Sequence, residues 1–117
     1  NDKFGHHYGD IVLQEVAKII LDNIRGEDVD IRLGGEEFAV FIVDENRAIS
    51  SSIAERIRLN VQNFKFSGVL KDVAITISGG ISFREPKETL ENFLDRADKA
   101  LYKSKETGRN RITVYSK

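Results

Sequence analysis

Apolar residues recur at Leu13, Val16, Ala17, Ile20, Leu21 and Ile24, the i, i+3, i+4, i+7 stripe of an amphipathic helix over 10–24. Gly26 follows where a helix C-terminal glycine is expected. The period then changes to two: Val29, Ile31 and Leu33 alternate with Asp28, Asp30 and Arg32, which predicts a half-buried strand. After Gly34-Gly35 the run 38–43 is continuously apolar, as in a strand buried on both faces, and the short Gly-rich connection predicts a β-hairpin.

A second helix is expected over 45–64, with Ile49, Ile53, Ile57 and Val61 on one face. In 73–83, Val73, Ile75, Ile77, Ile81 and Phe83 share one parity, while Ala74, Thr76, Ser78, Gly80 and Ser82 share the other. This predicts a long strand ended by Pro86, and Gly79-Gly80 within it signals a bulge or a close backbone approach. A third helix over 89–106 turns Leu90, Phe93, Leu94, Ala97 and Leu101 inward; Gly108 is its cap, and 112–115 is a last strand. The order α-β-β-α-β-α-β predicts an α+β fold, a mainly antiparallel sheet flanked by helices, rather than a doubly wound parallel sheet. There is no internal repeat, low-complexity tract or linker.

Composition narrows the function. At 117 residues the chain has the length of one domain, with 40% hydrophobic and 32% charged residues. A net charge of −1 gives no global basis for binding nucleic acid or an anionic membrane, so anion recognition must come from local basic clusters. Cysteine is absent, which excludes disulfide frameworks, thiolate zinc sites and thiol nucleophiles, and fits a cytoplasmic protein. No apolar run approaches the ~18–20 residues of a membrane-spanning helix. Methionine is also absent and the chain opens on Asn1-Asp2, as expected of a piece of a longer protein.

Three stretches have the residue types for chemistry. In LGGEEF (33–38), a Gly-Gly turn with an acidic tip is an ordinary hairpin signal. The same residues would let backbone amides approach a phosphate and place carboxylates on Mg²⁺. In KETGRNR (105–111), Lys105 and Arg109 are either helix-dipole compensation or a phosphate clamp. NDKFGHHYGD (1–10) leads into the first helix, with Asp10 near its start; Asn1 and Asp10 have the groups to read a purine edge. His6 and His7 are adjacent and have no ligands at zinc spacing, so zinc is excluded.

Taken together, these stretches resemble the GGDEF family of diguanylate cyclases, and the resemblance covers the whole chain. The matching motifs are NDKFGHHYGD (1–10), RLGGEEF (32–38), the strand ITISGGIS (75–82) and the ending 97–111, in family order and spacing. The resemblance implies a nucleotidyl-cyclase, palm-like fold and a Mg²⁺- or Mn²⁺-dependent condensation of two GTP into cyclic di-GMP across a homodimer. It implies Glu36 and Glu37 as metal ligands and catalytic carboxylates, and Gly34 and Gly35 as room for the phosphates. Lys105 and Arg109 would hold terminal phosphates, and Asn1 and Asp10 would read guanine. Arg25-Gly26-Glu27-Asp28 has the R-x-x-D form of the family's inhibitory product site, with Arg56 or Arg58 as its secondary arginine and Arg56 preferred.

The family's further metal aspartate lies on a strand about eight residues ahead of the Asn1 position, outside this sequence. The expectation is therefore a GGDEF domain over 1–117 without its first strand, weak or inactive alone, whose parent protein is a cyclase linked to a sensory domain. The alternatives are a non-catalytic receptor for cyclic di-GMP or GTP built on Arg25 and Asp28, and a purely structural partner-binding domain.

Overall fold

The computed structural model describes residues 5–34 and 36–116, with side chains from Tyr8 onward. The chain runs through α1 (Gly5–Asn23), β1 (Val29–Gly34), β2 (Glu37–Phe41), α2 (Arg47–Gln62), a 3₁₀ turn (Gly68–Leu70), β3 (Gly79–Ile81), α3 (Leu90–Glu106) and β4 (Ile112–Val114). This is the expected α+β order.

Each helix is set by local chemistry. Asn46 caps α2, its side chain accepting the Ala48 amide at 3.0 Å, and Thr89 caps α3 by accepting the Asn92 amide at 3.1 Å. Gly108, at φ +126°, lets the chain leave α3 in a conformation that side-chain-bearing residues rarely adopt. α1 begins at Gly5, earlier than its apolar stripe predicts, so Asp10 lies inside the helix and does not cap it. His6 and His7 carry no apolar signal, which is why the pattern misses this first turn. Gly26 is not the predicted cap either: α1 ends at Asn23, and Gly26 belongs to a turn closed by the Asp28 amide on the Arg25 carbonyl at 3.0 Å.

The core forms where α1 meets α2. Val16, Ile19 and Ile20 pack with Ile53, Ile57 and Val61, and Phe38, Val40, Ile42, Ile75 and Ile77 close over them. Of the predicted helical stripes, Leu21 and Leu90 are exposed.

β1 and β2 form an antiparallel ladder, and β3 and β4 a parallel one. Of the long strand predicted over 73–83, only Gly79–Ile81 is in a ladder. Residues 73–78 are not in a ladder although Ile75 and Ile77 pack on the core, because an alternating pattern buries a face but ladder bonds need a neighbouring strand. Likewise 38–43 is only partly buried, and Val43 is exposed.

β1 also inverts its predicted faces. Val29, Ile31 and Leu33 are exposed, while Asp28 and Asp30 turn toward the helices. Asp30 stands opposite Val40, which packs on the α1–α2 core, whereas Arg32, opposite Phe38, is exposed.

The second ladder is fixed to α3 by small residues. A Cβ at Gly80 would collide with the Ala97 carbonyl oxygen and the Leu101 amide of α3, so the predicted close backbone approach is present. The buried Ser104 hydroxyl donates to the Gly79 carbonyl at 2.8 Å and lies 2.6 Å from the Thr113 hydroxyl, tying α3 to both strands. Arg96 completes the attachment, donating to the Phe83 carbonyl at 2.7 Å and to Glu88.

Candidate functional site

The acidic motif forms the tip of the β1–β2 hairpin. Gly34 pairs with Glu37, and the register shifts between Arg32 and Gly34. Gly34 adopts φ +140° with open space on its Cβ side, so the bulge depends on a residue without a side chain and leaves the backbone approachable. Glu36 in the turn and Glu37 at the start of β2 are both exposed. Gly35 and Asn1 lie outside the described residues.

Lys105 and Arg109 stand at the other motif. Both are exposed, Lys105 in the last turn of α3 and Arg109 just beyond it. Arg109 has φ +61° and its amide donates to the Ser104 carbonyl at 2.8 Å, so the turn that presents it is an extension of the α3 C-terminus. Asp10 is exposed on α1. None of Asp10, Glu36, Glu37, Lys105 and Arg109 is engaged in a side-chain ion pair among the described residues. They are unspent groups on three separate elements.

The R-x-x-D motif is built differently, as a closed network at the foot of the hairpin. Asp28 has a buried side chain, and its carboxylate accepts the Arg25 amide at 2.9 Å, the Val43 amide at 2.9 Å and Arg25 Nε at 3.2 Å. Burial pushes the Asp28 carboxyl upward, but the Arg25 and backbone hydrogen bonds outweigh it and hold the group below its ordinary value. Arg25 reaches on to the Val43 carbonyl at 3.0 Å and to Asp44 at 2.8 Å. Those contacts with Asp44 and then Asp28 hold its guanidinium further toward the charged form.

The two candidate secondary arginines diverge. Arg56 donates to the Asn23 side chain at 2.8 Å and to the Asn23 carbonyl at 2.9 Å, two residues before Arg25. Arg58 instead pairs with Glu55 and reaches the Asn110 side chain at 2.9 Å, joining α2 to the turn after α3. Sequence reasoning missed Asp44 altogether. A carboxylate just after an apolar strand carries no signal that it faces an arginine nineteen positions earlier.

Among the described residues no three metal-ligating side chains come together. Mg²⁺ commonly takes one or two carboxylates plus substrate phosphates, and two exposed, unpaired glutamates beside an open backbone fit that donor set.

The α+β architecture, with helices flanking small sheets and an acidic hairpin tip, is that of a GGDEF-type domain. The family described as diguanylate cyclase, GGDEF domain, matches residues 1–111, and the chain belongs to it. It is 44% identical to diguanylate cyclase A of Treponema denticola over 115 residues, which are 97% of this chain and 31% of that protein. Among solved structures, the GGDEF domain of DgcB from Caulobacter crescentus in complex with c-di-GMP is similar at 37% identity and a TM-score of 0.91, over 97% of this chain and 68% of that one. The active GGEEF domain of a diguanylate cyclase from Vibrio cholerae is similar at 32% identity and a TM-score of 0.90, over all of this chain and 74% of that one. The chain thus spans less than a third of the length of the curated relative.

Proposed function

We propose that residues 1–117 are one GGDEF domain of a diguanylate cyclase, which condenses two GTP into cyclic di-GMP and two pyrophosphates. The observation that carries this is the hairpin tip: Glu36 and Glu37 are exposed and, among the described residues, unpaired beside Gly34, whose φ of +140° keeps the backbone open to a phosphate. The family membership and the likeness to an active GGEEF domain support the same reading.

In this reading each GTP lies on one of two facing domains. The 3′-hydroxyl of one attacks the α-phosphorus of the other; the new P–O bond forms, the hydroxyl proton leaves and pyrophosphate departs in line. Glu36 and Glu37 would hold Mg²⁺ or Mn²⁺, whose charge would neutralise phosphate and activate the hydroxyl. Glu36 assists removal of the hydroxyl proton. Gly34 and Gly35 admit the phosphates, Lys105 and Arg109 hold the terminal phosphates, and Asn1 and Asp10 read guanine.

Arg25, Asp28 and Arg56 form the inhibitory product site. Arg56 is favoured over Arg58 because it is held at Asn23, beside Arg25, whereas Arg58 is committed to Glu55 and Asn110. A homodimer, a linked sensory domain and a cytoplasmic location complete the proposal; no helix among the described residues is long and apolar enough to cross a membrane.

The full-length protein incubated with GTP and Mg²⁺ under dimerising conditions tests the reading. Cyclic di-GMP is the expected product. Tight cyclic di-GMP binding with no turnover would instead favour a receptor, for which the well-formed Arg25–Asp28 network is the supporting observation.

A further inference from the structure

The Arg25 guanidinium has five N–H donors, and four are already engaged. Nε donates to Asp28, Nη2 donates to Asp28 and to the Val43 carbonyl, and Nη1 donates to Asp44. A bidentate contact to the acceptor edge of a guanine needs two donors, so one free N–H is not enough. Some existing contact must be given up when a ligand arrives.

Two of these contacts lie on the exposed side, those to the Val43 carbonyl and to Asp44, and of the two only Asp44 brings a charge that an incoming base must replace. The Asp28 side chain is completely buried, and its carboxylate is also committed to two backbone amides. Asp44 is 25% exposed, and the Arg25 side chain it faces is 38% exposed, so their contact exchanges at the surface without opening the core. Asp44 also has somewhere to stay: its other oxygen accepts the Asn46 amide at 2.7 Å, which holds it on the loop into α2 when Arg25 lets go.

We propose that Asp44 is a built-in competitor at this site, occupying the Arg25 edge that a guanine base must take, so that a cyclic dinucleotide binds by displacing it. Asp44 thereby sets the affinity, and hence the threshold of product inhibition, without touching the ligand. The inference rests on the product-site reading of Arg25 given above.

Calorimetric titration of the protein with cyclic di-GMP at fixed ionic strength tests it. Asp44→Asn retains an acceptor for the Asn46 amide but removes the charge, and Asp44→Ser removes the charge by a second route. Both are expected to lower Kd by about two- to fivefold, the scale of a partly exposed ion pair. An unchanged or raised Kd in the folded variants overturns the role of Asp44, since it would mean that Asp44 is inert or preorganises Arg25. Arg25→Gln, which keeps a donor for Asp28, separates the two levels. If it weakens binding, the site reading holds and the Asp44 variants decide the inference; if it binds as tightly as the native protein, or the native protein does not bind, both fall.

Discussion

The carboxylate of Asp28 receives the backbone amide of Val43 at 2.9 Å, a bond that spans fifteen positions and joins the start of β1 to the chain leaving β2. The same buried group takes the Arg25 amide, so one side chain closes the foot of the hairpin that carries Glu36 and Glu37 at its tip. Asp28→Ala leaves two amides without their acceptor and is expected to lose about 2–3 kcal/mol of stability in urea unfolding.

The same residue gives a signed pH dependence. Asp28 is held below its ordinary value of 3.8 in the folded chain, so it releases its proton more readily folded than unfolded. Its contribution is fully present above that value and is lost as pH falls through the lower folded value. An unfolding series below about pH 5 should show stability falling with acid, with a shallower fall in Asp28→Ala.

Asp30 acts in the opposite direction. One of its carboxylate oxygens is buried without a hydrogen-bond partner among the described residues, and burial pushes its pKa above 3.8. A raised folded value favours the protonated form, so its contribution is complete below 3.8 and is lost as pH rises through the folded value. Asp30→Val, opposite Val40, should raise neutral-pH stability by about 1 kcal/mol, and the gain should shrink in acid.

Gly80 tests the attachment of α3. Gly80→Ala drives a methyl into the Ala97 and Leu101 backbone and should cost about 3 kcal/mol or more. Gly26→Ala is the control: nothing lies near its Cβ position, and its φ is outside the left-handed range, so unfolding should move by less than about 0.5 kcal/mol.

These contrasts mark what a sequence carries. Ile53, Ile57 and Val61 were legible because successive turns of helix repeat one face, and the hairpin was legible because Gly-Gly separates an alternating segment from an apolar run. The faces of β1 were not. Alternation identifies two faces but not which one a helix layer will cover, and Asp28 can lie inward only because Arg25 and two amides receive it. Residues 73–78 show the same limit for pairing, since a strand pattern does not contain its neighbour. Of the candidate site, Glu36, Glu37, Lys105 and Arg109 were identifiable as chemistry-bearing residues by motif, and all are exposed. Asp44 was not, because its meaning depends on a partner nineteen positions away.

The most direct test of the cyclase reading is the initial rate of cyclic di-GMP formation from GTP and Mg²⁺ by the full-length protein and its Glu36→Gln variant. Glu36 is exposed and unpaired among the described residues, so the substitution should leave unfolding unchanged while the rate falls by at least about a hundredfold. A Glu36→Gln protein that makes cyclic di-GMP within twofold of the native rate would contradict the account.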